Sequence, residues 1–217
     1  RGGLIFLHGS GDTGPGVQEW LDYITGGSFE RTLAGQGILC LYPTAPLRPY
    51  TMCQGELRHV WHDRLALDFN SIPDEEHVLE SMEIVEGLLE ELEEAGVDRS
   101  AVVLGGFSMG GGVALQCIAA PWACHLAGVF SLSSFLHAAS PLYAQQQQQQ
   151  QAPPPPPPLY TAHGLRDEMV SHAWARSTAQ GLTSAGYAVT HAEYATLGHD
   201  MSRAEVEALL QWIGARV

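Results

Sequence analysis

Positive charge is scarce in this chain. Ten arginines and no lysine stand against 24 acids in 217 residues, a formal net charge of −14. A surface that tracks phosphates needs clustered Lys and Arg, so no nucleic-acid partner is expected, and attraction to an anionic membrane is disfavoured for the same reason. No apolar run reaches the ~18 residues of a membrane span, and no stable membrane insertion is expected. Cysteine is also sparse. Cys40, Cys53, Cys117 and Cys124 show no two-residue spacing, which removes the zinc and thioredoxin-like patterns. Without a disulfide framework the chain suits a reducing compartment, and a cytoplasmic setting is the expectation. The sequence starts at Arg1 without a methionine and leads straight into a strand, so residues before Arg1 are expected and the lack of a leader weighs little.

Apolar residues are plentiful. At 45% hydrophobic, the chain can bury a core without staples, and residues 1–217 read as one domain. Apolar runs alternate with helical patterns, which indicates βα units. Strands are expected at Leu4–Leu7, Ile38–Tyr42, Val102–Leu104, Ala127–Leu132, Leu159–Ala162 and Val189–Tyr194. Helices are expected at about Val17–Leu33, after Ser108, at Val170–Ala185 and at Arg203–Ile213. From Pro73 to Gly96 the residues Val78, Met82, Val85, Leu89 and Leu92 recur at helical spacing with glutamates between them; this is a helix with a solvated acidic face. The stretch from Pro43 to Ile72 reads as irregular. The fold class is α/β, a mostly parallel central sheet with helices on both faces.

One segment, residues 144–158, breaks that order. Gln145–Gln151 and Pro153–Pro158 are homopolymeric and carry too little apolar surface to pack. They read as a surface loop ending in an extended polyproline spacer. Recognition of Pro153–Pro158 by an SH3 or WW domain is the functional alternative.

Chemistry concentrates in VVLGGFSMGGGVAL, residues 102–115, where Ser108 is flanked by Gly105, Gly106, Gly110, Gly111 and Gly112. Glycines weaken regular structure and are useful where backbone turns sharply or packs closely. A strand precedes this serine and an apolar helix follows it. That is the context of a nucleophile elbow, Gly-x-Ser-x-Gly, which pushes a hydroxyl into the open. A serine nucleophile needs a base and an acid that orients it. Asp167, after the strand LYTA, and His199, before the last helix, follow in the order Ser, Asp, His. His8, His59, His62, His163 and His172 are read as loop or core residues. Asp200 is too close in sequence to reach the His199 ring. Stabilising an oxyanion requires two N–H donors. Met109 supplies one, and the loop in FLHGSGDTG, through Gly9 and Ser10, supplies the second. As a phosphate cradle that loop lacks the GK[ST] ending.

The segments LIFLHGSGDTG, YPTAPLRPYT, VWHD, LGGFSMGG, LAGVFSLSSFL, HGLRDEMV and LGHD resemble, in this order and over almost the whole chain, the acyl-protein thioesterase and lysophospholipase-like family of α/β-hydrolases. Met109, Ser10 and the SSFL segment lie nearer its lysophospholipase-like branch than the thioesterases proper, where glutamine and leucine usually stand in the first two places. The resemblance implies an α/β-hydrolase fold with Ser108 as nucleophile, Asp167 as orienting acid and His199 as base. The Ser10 and Met109 N–H groups would form the oxyanion hole, with no metal and no organic cofactor. It also implies a cytoplasmic serine esterase acting on a small acyl ester or an S-acylated protein. Short acyl chains are expected, because the loops at Gly9–Gly16 and Pro43–Trp61 carry only scattered apolar residues. A long-chain acyl-protein thioesterase or lysophospholipase is the alternative. The glutamine and proline runs depart from the family's pattern.

Overall fold

The computed structural model describes residues 1–144 and 155–217. In chain order the elements are β1 (Gly2–Leu7), α1 (Gly14–Thr25), α2 (Phe29–Gly35), β2 (Ile38–Leu41), β3 (Leu47–Tyr50), β4 (Glu56–His59), α3 (Glu75–Glu94), β5 (Val102–Phe107), α4 (Met109–Cys117), β6 (Gly128–Leu132), β7 (Leu159–Gly164), α5 (His172–Ser184), β8 (Val189–Tyr194) and α6 (Arg203–Gly214). Six strands form one sheet in the order β2-β1-β5-β6-β7-β8, every neighbouring pair parallel.

Side chains alternate across this sheet, and each face has its own core. Leu4 and Phe6 of β1 join Val103, Phe130 and Tyr160 under α1, α2 and α6. Ile5 and Leu7 join Leu104, Val129 and Leu159 under α3, α4 and α5. Burial on both faces explains why the strands read as continuous apolar runs and not as alternating ones. In α3, Val78, Val85, Leu89 and Leu92 are buried while Asp74 caps the N-terminus by accepting the His77 N–H at 3.0 Å. The glutamates between them face outward, as the pattern requires.

The winding reverses beside β1. From β1 the chain crosses to β2 on one side, and later returns to β5 on the other. Loops leaving the carboxyl ends of such neighbouring strands diverge and leave a crevice, the usual ligand position in α/β sheets. Here the crevice lies between the ends of β1 and β5, next to Leu7 and Phe107.

Three expectations need correction. The helix expected over Val17–Leu33 is two helices, because Gly26 and Gly27 adopt φ of 65° and 72° and end the first with a left-handed cap. The stretch read as irregular contains the antiparallel hairpin β3–β4, turned by Gln54 and Gly55, both at positive φ. The proline run is not wholly a spacer. Pro157 is buried, and the Pro158 carbonyl accepts the Val129 N–H at 3.0 Å, extending the β6–β7 pairing. Gln145–Gln151, Pro153 and Pro154 lie outside the described residues. Among the described residues no helix is long and apolar enough to cross a membrane.

Candidate active site

Ser108 is the single residue between β5 and α4, at the N-cap of the helix with φ 53° and ψ −120°, a conformation costing about 1–3 kcal/mol for a residue with a Cβ. Packing against β1 explains the glycines around it. A Cβ on Gly106 would lie 2.4 Å from the Leu7 carbonyl oxygen, and one on Gly110 would lie 2.3 Å from the same atom. Only bare backbone fits on either side of the serine. The Ser108 N–H donates to the Leu132 carbonyl at 2.8 Å, which ties the turn to the next strand.

His199 and Asp167 come from the loops after β8 and β7. His199 Nε2 is 3.0 Å from Ser108 Oγ, and its Nδ1 is 2.8 Å from Asp167 Oδ2. The imidazole packs against the Phe107 ring at a centroid distance of 5.0 Å, so its orientation is held from the side as well. Asp167 Oδ1 accepts the backbone N–H groups of Met169 and Val170 at 2.9 and 2.8 Å. Burial by itself would raise the Asp167 carboxyl, but hydrogen bonds from His163, His199 and the Val170 N–H outweigh it and hold the group well below the usual carboxylate range. Asp200 turns away; its Oδ1 accepts the Met201 N–H at 2.7 Å.

Ser10 lies exposed at the turn that leaves β1, and its neighbour Gly9 packs directly on the nucleophile: a Cβ on Gly9 would sit 3.4 Å from Ser108 Cβ. Met109 is buried at the first position of α4. Both backbone segments thus border the serine. His8 organises the turn in a way the sequence did not reveal. Its Nε2 accepts the Ala45 N–H at 2.9 Å, so the proton belongs on Nδ1, which lies 2.6 Å from the Gly9 carbonyl oxygen. Burial lowers the His8 pKa and keeps the ring neutral. Because the Gly9 carbonyl and the Ser10 N–H share one planar peptide, holding the first fixes the direction of the second. Trp61 Nε1 donates to the His8 carbonyl at 2.9 Å and anchors the same turn from the far side.

The mouth of the site is built by residues 62–73 and by the segment after β6. His62, Arg64, Asp68, Phe135 and Gln116 line a narrow pocket of about 40 Å³ that opens on Ser108. Burial pushes the His62 imidazole down to about 4, against the opposing effect of its hydrogen bond to the Asp63 carbonyl. His62 therefore faces the pocket as a neutral ring, buried as a core residue would be and yet bordering the nucleophile. Phe69 stacks on Trp174 with an interplanar angle of 11°, and its carbonyl accepts the Ala138 N–H at 2.7 Å, fixing the loop over the pocket. A wider groove of about 760 Å³, lined by Leu79, Met82, Trp122 and Leu142, adjoins at Gln116 and His137. Among the described residues no group of three or more His, Cys, Asp or Glu side chains converges as a metal site.

Comparison with known proteins places these features in a lineage. The family model described as phospholipase/carboxylesterase matches residues 1–216. Mouse lysophospholipase-like protein 1 is 39% identical over 217 residues, covering 99% of this chain and 86% of that protein. The crystal structure of Arabidopsis thaliana SOBER1 superposes with a TM-score of 0.81 at 26% identity, covering 100% of this chain and 99% of that one. Zea mays acyl-protein thioesterase 2 has the same fold, with a TM-score of 0.81 at 24% identity and coverage of 100% and 94%.

Proposed function

The chain belongs to the phospholipase/carboxylesterase family, and from that premise we propose that it is a serine esterase that cleaves short-chain acyl esters, S-acylated proteins among its substrates, through an acyl-serine intermediate. The observation that carries the reading is the unbroken relay from Ser108 Oγ to His199 Nε2 at 3.0 Å and from His199 Nδ1 to Asp167 Oδ2 at 2.8 Å. In the first step Ser108 Oγ attacks the acyl carbon while His199 Nε2 takes its proton. The carbonyl oxygen becomes an oxyanion that accepts from the N–H groups of Met109 and Ser10. Collapse breaks the bond to the alcohol or thiol, which leaves with the proton from His199. Water then repeats the sequence on the acyl-serine, and Asp167 holds the imidazole in the tautomer that both steps need.

The small volume beside Ser108 supports a short acyl group. Each methylene buried adds about 0.8 kcal/mol, so a deep pocket gains with chain length and a pocket of about 40 Å³ stops gaining early. One observation favours the second reading, a long-chain thioesterase or lysophospholipase: the apolar groove beyond Gln116 and His137 offers room for a distal chain. A series from acetyl to palmitoyl on one chromogenic alcohol, kept below micelle formation, separates the two. The short-chain reading expects kcat/KM to peak within the first few carbons and fall at palmitoyl. A steady rise through the long chains overturns it in favour of the second. A cytoplasmic location belongs to the same proposal and is checked by fractionation of cells expressing the full protein.

A further inference from the structure

Asp167 faces two histidines, and the triad uses only one. His163, near the end of β7, has a side chain 1% exposed and places Nε2 3.2 Å from Asp167 Oδ2, the oxygen that also meets His199 Nδ1 at 2.8 Å. The same Nε2 lies 2.8 Å from the Val170 carbonyl oxygen. Both neighbours of Nε2 are acceptors, so that nitrogen carries the proton and divides it between them. Nδ1 of His163 is buried without a hydrogen-bond partner among the described residues. A proton there would have nothing to bond, and the ring is therefore the Nε2–H tautomer.

The other charged groups nearby are engaged elsewhere. On β8, Glu193 stands opposite His163 in register and is paired with Arg176 of α5 at 2.6 Å. His191 turns its Nδ1 to Thr161 Oγ1 at 2.7 Å and its Nε2 towards Glu193 at 3.5 Å. Arg166 and Glu168, which flank Asp167 in sequence, are exposed, and Asp200 caps its own loop. The donors gathered on the Asp167 carboxylate are two imidazoles and two backbone N–H groups.

We propose that His163 is a positioning residue for the catalytic carboxylate: by sharing Oδ2 with His199 it limits how strongly Asp167 stabilises a charged His199, and so sets where on the pH scale hydrolysis begins. The inference rests on the triad assignment made above. An acceptor oxygen divided between two donors serves each less well than it would serve one. Without the His163 N–H, the charge on Oδ2 turns wholly to His199 Nδ1. Imidazolium then persists to higher pH, and the free base that attack on the acyl carbon requires appears later in a titration.

The test is the pH dependence of kcat/KM for a short acyl ester in three variants. His163→Phe and His163→Asn lack a donor at the Nε2 position and are expected to move the midpoint of the acid limb upward by about half to one pH unit. His163→Gln carries an amide nitrogen to that position and is expected to return the midpoint close to that of the unaltered protein. An unmoved midpoint in the Phe and Asn variants overturns the proposal, whatever happens to the plateau rate. Equal shifts in all three also overturn it, since they would reflect packing and not the donor. Thermal melting identifies any variant that does not fold, and if His163→Phe fails, the Asn and Gln pair decides alone. Failure of the triad assignment itself would show separately, as fluorophosphonate labelling that survives Ser108→Ala.

Discussion

A Cβ built on Gly164 would lie 2.2 Å from the Leu197 carbonyl oxygen and 2.6 Å from that of Gly198. The loop that carries His199 therefore rests on bare backbone at the end of β7, three residues before Asp167. Gly164→Ala has no flexible side chain to displace there, only backbone. The expected result is a fall in kcat of at least about 100-fold, the scale of a ~1 Å misplacement of a catalytic group, with far-UV circular dichroism unchanged. Activity within a few-fold of normal would mean the loop accommodates a methyl group.

Ser108 combines the nucleophile with a strained backbone. Both Ser108→Ala and Ser108→Gly should abolish acyl-enzyme formation, but they should differ in stability. Glycine reaches φ 53° and ψ −120° without the Cβ penalty, which exceeds its entropic disadvantage. Urea unfolding should find Ser108→Gly more stable than Ser108→Ala by ~1 kcal/mol. His199→Ala should lower turnover by about three to six orders of magnitude and leave a residue of catalysis from the oxyanion donors.

His8 gives a prediction that separates orientation from binding. His8→Phe retains a buried ring but loses the hydrogen bonds to the Gly9 carbonyl and the Ala45 N–H. The Ser10 N–H then loses its fixed direction, and an oxyanion donor acts only in the transition state. Steady-state kinetics should show kcat reduced about 10- to 100-fold with KM nearly unchanged, less than the roughly 100- to 1000-fold cost of removing an oxyanion donor outright, because the Ser10 N–H is misdirected and not lost. A rise in KM at constant kcat would contradict this role.

Glu205 in the first turn of α6 is completely buried, and neither carboxylate oxygen has a hydrogen-bond partner among the described residues. Burial pushes its carboxyl up to about 8, and the nearby Asp200 charge acts in the same direction. The ordinary glutamate value is about 4.3, so between these two values the folded protein holds a proton that the unfolded chain has released. Stability is then fully present below the unfolded value and is lost as pH rises through about 8, by an amount on the order of 5 kcal/mol. Glu205→Gln keeps the shape and removes the titration. Urea midpoints measured at pH 5 and pH 9 should converge in the variant and diverge in the parent; equal divergence in both would assign the slope to another group.

Much of this molecule is local and therefore legible in the chain. Continuous apolar runs such as Leu4–Leu7 mark strands buried on both faces, and the 3–4 spacing from Val78 to Leu92 marks a helix. Gly106 and Gly110 mark a serine turn where backbone must pass close to backbone. Even the break between α1 and α2 is written in Gly26 and Gly27, although the apolar spacing on either side suggests one helix. The order Ser108, Asp167, His199 is likewise a property of the chain. What local pattern cannot state is which side chains meet across the sheet. His8, His163 and His199 each stand near a glycine or an acid in sequence, yet one orients a backbone turn, one shares a carboxylate oxygen and one bridges to Ser108. Those assignments depend on strand order and loop packing. Hydrogen bonds act over about 3 Å, and only the folded sheet brings residues 91 positions apart within that reach.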